Sequence, residues 1–300
     1  MTSMPSFTLL LDEAIELPEP LHAKLATRFT VAPWHAADAT TRAQADTLLL
    51  HSRVGEADLQ ALAQCRYIGV RAHNTDYVPI PLRRDGLLVQ GIPQFGTESV
   101  AEHTLALIFA LAKNLRKGHE QTVNGAWRNG MQLNSKLSGK TLGIVGYGKI
   151  GRCVTQMARA FGLQVLVAAK PGAPAKDGML PLQQLLQQAD IVSLHTSTKA
   201  DTTPVWDAAL LAQLKPGALL INTARGSLID YDALGQMVLN GRISGVGLDV
   251  YPEEPPQLEW LNHPRVLCSP HVAYATDSTL AAMNGALVEL ALAWAATQAG

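Results

Sequence analysis

A glycine-rich turn between a buried strand and an amphipathic helix constrains the fold of this chain more than any other feature. The turn reads Gly146-Tyr147-Gly148-Lys149-Ile150-Gly151, and the apolar run TLGIVG at 141–146 leads into it. In such a turn the first glycine permits the tight bend, the second lets backbone approach a pyrophosphate, and the third lets the helix pack on the strand. The strand and the helix that the motif requires are both present. The sequence therefore predicts a dinucleotide-binding βαβ unit.

Short apolar runs alternate with helical patterns along most of the 300 residues, which is typical of parallel βαβ units. Six strands of a complete doubly wound sheet are predicted at 141–146, 165–169, 190–195, 217–223, 245–250 and 265–270. Strands of a first, smaller sheet are predicted at 7–11, 47–51, 67–71 and 87–93. Predicted helices cover 19–28, 56–64, Glu98 to about Lys117, and Ser278 to Gly300, with a loop-rich stretch at 118–138.

These patterns predict an α/β protein with two doubly wound domains. We expect a Rossmann-type dinucleotide-binding domain at 98–275. Residues 1–97 together with 276–300 are expected to form a smaller, flavodoxin-like substrate domain.

Composition argues against several kinds of partner and site. The net charge is −1 and no long basic run occurs, so nucleic acid is not an expected partner. No run approaches the ~18 consecutive apolar residues of a membrane span, so a membrane is not expected either. The three cysteines, Cys65, Cys153 and Cys268, form no C-x-x-C pair, which favours a reducing cytoplasm. Without a Cys/His cluster or an H-E-x-x-H motif, we expect no metal site.

Three ionisable residues follow three different predicted strands. Arg225 comes after the strand at 217–223, Glu254 lies in the loop after the strand at 245–250, and His271 follows the strand at 265–270. Each one alone is an ordinary loop residue, but parallel strands end at one edge of a sheet, where ligands bind. An arginine fork binds a carboxylate, a histidine donates a proton to a carbonyl oxygen, and a carboxylate keeps that histidine protonated. Together they predict a reductase that converts a 2-oxo acid into a 2-hydroxy acid.

The end of the second strand departs from the pattern for NAD. An Asp or Glu there usually accepts a hydrogen bond from the ribose 2′-hydroxyl, but this chain has Ala169 followed by Lys170. Without the carboxylate, a 2′-phosphate is not repelled, and Lys170 can pair with it. We therefore expect NADP(H) to be favoured. NAD(H) stays possible, because Lys170 can equally be a solvated loop residue.

Five segments, in this order and spacing, resemble the D-isomer-specific 2-hydroxyacid dehydrogenase family, and the resemblance covers nearly the whole chain. They are GKTLGIVGYGKIG, ADIVSLH, LKPGALLINTARGSLID, GVGLDVYPEEP and SPHVA. YIGVRAHNTDYV and QFGTESVAEHTLAL in the first third match more weakly. Within the family the chain is most similar to glycerate dehydrogenases and to glyoxylate or hydroxypyruvate reductases.

The resemblance implies a role for each matching position. Arg225 is expected to bind the substrate carboxylate, Glu254 to partner the histidine, and His271 to donate the proton. The resemblance assigns cofactor binding to Gly148, Lys149, Ile150, Thr223, Ala224 and Asp249, the last near the nicotinamide carboxamide. The sequence pattern itself adds Gly146 and Gly151 of the glycine turn, Lys170, and His195 at the end of its predicted strand. The expected substrate loop is Ala72, His73, Asn74 and Thr75, whose backbone amides cradle the carboxylate.

The substrate loop is less similar to the family than the rest, because glycine usually stands where this chain has Ala72-His73-Asn74-Thr75. Asn74 tolerates a left-handed backbone, which would preserve the turn. The family also implies a homodimer formed through the long helix and its neighbouring loop. Two alternatives stay open: a corepressor-like protein that uses the nucleotide as a structural ligand, and a phosphite dehydrogenase-like enzyme.

Overall fold

The computed structural model describes residues 7–130, 132–169, 176, 178–196 and 205–298. They form two compact units. One contains the described residues up to Phe95 and from Thr276 onward, and the other is Gly96–Ala275. Each unit is built on one parallel sheet with helices packed against it, so the predicted α/β class is confirmed.

The first unit has a five-stranded sheet in the order β2-β1-β3-β4-β5, the flavodoxin-like order. Its strands are β1 (Phe7–Leu11), β2 (Phe29–Pro33), β3 (Thr47–Leu50), β4 (Tyr67–Val70) and β5 (Leu88–Gly91). Its helices are α1 (Glu19–Ala26), α2 (Ala39–Gln44), α3 (Glu56–Ala61) and, at the end of the chain, α10 (Asp277–Thr297).

Two elements of this unit were not predicted from the sequence. Strand β2 lies at the sheet edge and has only one buried residue, Phe29, so its apolar signal is weak. Helix α2 has six residues and none of them is buried, so it has no apolar periodicity to detect. The Asp38 side chain caps it by accepting a hydrogen bond from the Thr41 amide at 2.7 Å.

Helix α10 is the one helix, within the part of the chain that the structure describes, whose length and apolar composition would allow it to cross a membrane. The sequence had predicted no such segment. In this structure one face of the helix packs against α1, β3 and β4. Trp294 stacks on Tyr67 with ring centroids 5.4 Å apart, and Leu287, Val288 and Ala291 are fully buried. The helix therefore serves as a core helix of the first unit.

The second unit has a six-stranded parallel sheet in the order β11-β10-β9-β8-β6-β7. Its strands are β6 (Thr141–Val145), β7 (Gln164–Ala168), β8 (Ile191–Leu194), β9 (Leu219–Asn222), β10 (Gly245–Leu248) and β11 (Val266–Cys268). All residues of β8, β9 and β10 are buried, as expected for strands covered on both faces. Beyond β7, a single parallel bridge joins Ala168 to Leu180 and occupies the position of the edge strand of a Rossmann sheet. The strand order reverses between β6 and β8, the position where such sheets bind dinucleotides.

The helices of this unit are α4 (Thr97–Ala112), α5 (Leu115–Val123), α6 (Lys149–Ala160), α7 (Leu182–Gln188), α8 (Ala208–Leu211) and α9 (Tyr231–Leu239). The prediction of one helix from Glu98 to Lys117, followed by a loop over 118–138, was wrong. The helix breaks at Asn114, which has a left-handed backbone with φ of 48°, and α5 then continues into the predicted loop. Asparagine is one of the few residues that adopt this conformation readily. The Asn114 side chain also donates to the Leu133 carbonyl at 3.3 Å, which ties the break to the following loop.

Candidate active site

The neighbouring strands β9, β10 and β11 end in register. Leu248 pairs with Asn222 on one side and with Cys268 on the other. The three residues that the sequence proposed for chemistry follow these strand ends: Arg225 three positions after Asn222, Glu254 in the loop after Leu248, and His271 three positions after Cys268. The parallel sheet therefore delivers all three chain segments to one edge.

The buried Asn222 side chain shapes the turn that carries Arg225. Its Oδ1 accepts from the Ala224 amide at 3.0 Å, and its Nδ2 donates to the Arg225 carbonyl at 2.9 Å. The Arg225 guanidinium donates from Nη1 to the Ala224 carbonyl at 2.7 Å. Thr223, which directly follows Asn222, forms a hydrogen bond of 3.0 Å between its hydroxyl and the hydroxyl of Thr104 in α4. Sequence reasoning missed Asn222, because a lone asparagine at a strand end has no motif of its own.

His271 and Glu254 are hydrogen-bonded to each other, with Nδ1 and Oε2 2.8 Å apart. The other carboxylate oxygen of Glu254 accepts from the Tyr251 amide at 3.2 Å, which orients the carboxylate. A carboxylate accepts only when Nδ1 carries the hydrogen, so Nε2 is the ring nitrogen left for proton exchange with a substrate. Both side chains are partly exposed, at 35% for His271 and 41% for Glu254, so a small molecule can reach them.

The backbone of His271 has a left-handed conformation with φ of 55°, which is uncommon for a residue with a side chain. Its amide donates to the Ser269 carbonyl at 3.1 Å. Immediately after it, the amides of Val272 and Ala273 donate to the buried Asp249 carboxylate at 2.9 and 3.0 Å. Residues in such strained conformations persist only when their surroundings hold them, and they cluster at functional sites.

Gly226 lets the loop after Arg225 touch the loop that leads to Glu254. A Cβ at Gly226 would lie 1.9 Å from the carbonyl carbon and oxygen of Tyr251, so no side chain fits there. Tyr251 itself is buried, and its hydroxyl donates to the Ser269 carbonyl at 3.0 Å. Burial raises the pKa of this hydroxyl, which keeps it protonated as a donor. Tyr251 thus links the segment after β10, which carries Glu254, to the segment after β11, which carries His271.

The glycine turn after β6 has the geometry that a dinucleotide requires. Gly146 has φ of 95° and lies against the His195 carbonyl, 2.5 Å from where its Cβ would be. Gly151 approaches the Gly146 carbonyl in the same way, at 2.3 Å. Around Gly148, by contrast, nothing lies within 4 Å of an added Cβ. Gly146 and Gly151 allow close packing of the backbone. Gly148 instead leaves open space at the start of α6, whose first two residues are Lys149 and Ile150. In dinucleotide-binding domains the pyrophosphate lies in such a space, beside the amides of a helix N-terminus.

His195, a predicted cofactor residue, directly follows β8, and its carbonyl lies against Gly146 of this turn. Its Nε2 is 2.9 Å from the Ser193 hydroxyl. Burial lowers the pKa of the ring to about 4, so the imidazole is neutral at physiological pH. It can therefore hydrogen-bond to a ligand but cannot serve as a cation for phosphate. Lys170, the cation predicted for the 2′-phosphate, lies outside the described residues, whereas Ala169 directly follows β7.

The predicted substrate loop belongs to the first unit. A Cβ at Gly91 would lie 2.6 Å from the carbonyl oxygens of both Ala72 and His73, so glycine is needed beneath the loop. Arg83 holds the other end, with Nη2 donating to the Thr75 carbonyl at 2.5 Å and to its hydroxyl at 3.0 Å. The φ angle of Asn74 is not positive, so this residue does not adopt the left-handed conformation that would have preserved the turn.

Among the described residues, Asp12, Glu13 and His35 place potential metal-binding atoms within 4.8 Å of one another. Their carboxylates already accept backbone hydrogen bonds, however. Asp12 accepts from the amides of Ala14, His51 and Ser52, and Glu13 accepts from those of His35 and Ala36. This cluster stabilises the loop after β1.

Comparison with known proteins identifies the family of this chain. The family model described as D-isomer specific 2-hydroxyacid dehydrogenase, NAD binding domain, matches residues 105–273. The chain belongs to this family. A glycerate dehydrogenase from Methylorubrum extorquens is 33% identical over 242 residues, which are 77% of this chain and 76% of that protein.

The chain is also similar to a longer enzyme and to a solved structure. A D-3-phosphoglycerate dehydrogenase from Bacillus subtilis is 33% identical over 244 residues, or 77% of this chain, but the match spans only 46% of that longer protein. The crystal structure of an NADPH-dependent glyoxylate/hydroxypyruvate reductase from Sinorhizobium meliloti, in complex with NADP and malonate, superposes with a TM-score of 0.82. It is 27% identical, over 97% of this chain and 94% of that one.

The contact at Gly226 gives a test of the site's scaffold. We expect Gly226→Ala to lower the free energy of unfolding by about 1–3 kcal/mol, because the methyl group forces apart the two loops. Gly118→Ala is the matched control, since nothing lies within 4 Å of its added Cβ in α5. That change should be neutral or slightly stabilising. Urea denaturation measures both, and equal stability of the two variants would contradict the contact.

Proposed function

We propose that this protein is a nicotinamide-dependent D-2-hydroxyacid dehydrogenase (EC 1.1.1.-) that reduces a small 2-oxo acid of the glyoxylate or hydroxypyruvate type to its D-2-hydroxy acid. The observation that carries the proposal is the 2.8 Å hydrogen bond between His271 and Glu254, at the sheet edge that also receives Arg225. Family membership and the glycine turn support the same reaction class.

In this proposal Arg225 binds the substrate carboxylate with the planar fork of its guanidinium. His271 holds the transferable proton on Nε2 and delivers it to the carbonyl oxygen as that oxygen gains negative charge. Glu254 accepts from Nδ1, orients the ring and stabilises its protonated form. When bound, the reduced nicotinamide supplies the hydride. The backbone amides of Ala72, His73, Asn74 and Thr75 are proposed to bind the substrate carboxylate as well.

For the dinucleotide, we propose that Gly146, Gly148, Lys149, Ile150 and Gly151 bind the pyrophosphate, as the open space at Gly148 supports. His195, Thr223, Ala224 and Asp249 are proposed to line the nicotinamide end. Asp249 already accepts two backbone amides and the Ser269 hydroxyl, so a carboxamide would have to share its remaining lone pairs.

We also propose a cytoplasmic homodimer. Four large apolar residues on α5 and the loop after it are exposed, on the surface through which the resemblance implies dimerisation. They are Leu115 at 57%, Val123 at 65%, Trp127 at 68% and Leu133 at 88%. Several exposed apolar side chains within one short segment of the chain are a feature that protein–protein interfaces share.

The proposed reaction is tested by the oxidation of NADH and NADPH in the presence of glyoxylate, hydroxypyruvate or pyruvate. The reduction of NAD+ and NADP+ in the presence of phosphite, which would be oxidised to phosphate, serves as the competing assay. We expect turnover with at least one oxo acid and none with phosphite. Arg225→Lys should raise KM and also lower kcat, because lysine keeps the charge but loses the fork. Turnover with phosphite alone, or identical kinetics for Arg225→Lys, would contradict the proposal.

The cofactor preference forms a separate proposal, in which NADP(H) is favoured over NAD(H). It is supported by Ala169, which stands directly after β7 where NAD enzymes place an acid, and by the NADPH dependence of the Sinorhizobium relative. We expect kcat/KM for NADPH to exceed that for NADH by about tenfold, the size of one charge-assisted contact.

Two variants test the origin of that preference. Lys170→Ala should remove most of it, and Ala169→Asp should reverse it, since a carboxylate accepts from the 2′-hydroxyl and repels the 2′-phosphate. The preference should also shrink as salt concentration rises. A wild-type enzyme that prefers NADH, and still does so in Lys170→Ala, would refute this proposal and leave the reductase assignment intact.

A further inference from the structure

A chain of three hydrogen-bonded side chains ends on the backbone that directly follows His271, and two of its members, His103 and Ser269, have no role in the chemistry proposed above. Its members come from different parts of the second unit: His103 from α4, Ser269 from the segment after β11, and Asp249 from the end of β10. His103 Nε2 is 2.8 Å from the Ser269 hydroxyl, which donates to Asp249 Oδ1 at 2.6 Å. Asp249 is 1% exposed, so this carboxylate depends on protein donors for its hydrogen bonds.

The donor assignments in this chain are determined by counting hydrogens. Ser269 has one hydroxyl hydrogen, and the nearest acceptor is Asp249 Oδ1, since its distance to the Leu248 carbonyl is 3.4 Å. A hydroxyl that has donated its hydrogen can only accept from the ring. Nε2 of His103 therefore carries a hydrogen and donates to Ser269. Nε2 of His103 also lies 3.6 Å from Asp249 Oδ1.

Asp249 in turn forms hydrogen bonds with the backbone of the two residues that follow His271. Its Oδ1 accepts from the Val272 amide and its Oδ2 from the Ala273 amide. These two bonds fix the backbone directly after a residue held at φ of 55°. The orientation of the His271 ring depends on that backbone, because χ rotation alone cannot compensate for a shift of the Cα–Cβ bond. The segment would relax if the carboxylate could move.

We propose that His103 and Ser269 are positioning residues for the reaction, which act through Asp249 to hold the backbone after His271 and thereby direct its ring. This inference rests on the proposed function for its catalytic meaning. Neither residue is assigned to contact substrate or cofactor. The effect of losing them should therefore fall on kcat, with little change in the affinity for the dinucleotide.

The test compares Ser269→Ala, which removes the hydroxyl, with Ser269→Thr, which keeps it. His103→Leu and His103→Gln form a second pair, since the glutamine amide can still donate. His119→Leu, on the exposed part of α5, is the control histidine variant. Three quantities are measured on the full-length protein: amide hydrogen exchange of the peptide over 269–275, the Kd for NADPH by fluorescence, and kcat and KM with glyoxylate. Thermal melting confirms that each variant is folded.

We expect Ser269→Ala and His103→Leu to accelerate exchange of this peptide and to lower kcat about tenfold, the usual effect of losing one hydrogen bond to a charged group. The Kd for NADPH and the KM for glyoxylate should change by less than about twofold, because neither residue is assigned a contact with the dinucleotide or the substrate. Ser269→Thr, His103→Gln and His119→Leu should resemble the wild type.

Unchanged exchange in Ser269→Ala would overturn the inference, as would an unchanged kcat. A weaker Kd for NADPH at wild-type exchange would instead assign the chain to cofactor binding and would also overturn it. If the wild-type protein reduced no oxo acid, the proposed function would fail, whereas the exchange measurements would still decide whether these residues hold the segment after His271.

Discussion

The parallel arrangement of the second sheet is the constraint on which the site depends. Because every strand runs in the same direction, the turns after β6, β8, β9, β10 and β11 all emerge at one edge. The glycine turn, the Arg225 turn, the Glu254 loop and the His271 segment are four of these connections, and His195 begins the fifth. None of the four is near another in sequence, and the sheet alone brings their starting points into register.

Within that edge, buried polar groups hold the backbone and leave the reactive groups accessible. Asn222 fixes the Arg225 turn, Tyr251 joins two strand ends, and Asp249 binds the amides after His271. Gly226 permits the close contact between loops that this arrangement needs. His271 and Glu254 themselves are partly exposed. Preorganised groups held by a rigid polar scaffold are what a proton-transfer site requires.

The sequence predicted most of the second sheet, because buried parallel strands are continuous apolar runs and their ends carry recognisable motifs. It predicted less where the signal is tertiary. The break of the long helix at Asn114 depends on one backbone angle and on a contact with a distant loop. Helix α2 buries nothing, so no apolar pattern marks it. His103 and Ser269 have no motif, and their connection to Asp249 exists only after β10, β11 and α4 have packed.

The central claim, that His271 is the proton donor of a 2-oxo acid reductase, is tested most directly by His271→Ala. The variant is measured for kcat with the best oxo acid of the panel and for the Kd of the dinucleotide, with His119→Ala as control. The account predicts a kcat at least ~100-fold lower, the usual scale for a lost general acid, with an unchanged Kd. A variant that retains more than about a tenth of wild-type kcat would contradict the assignment of the proton donor.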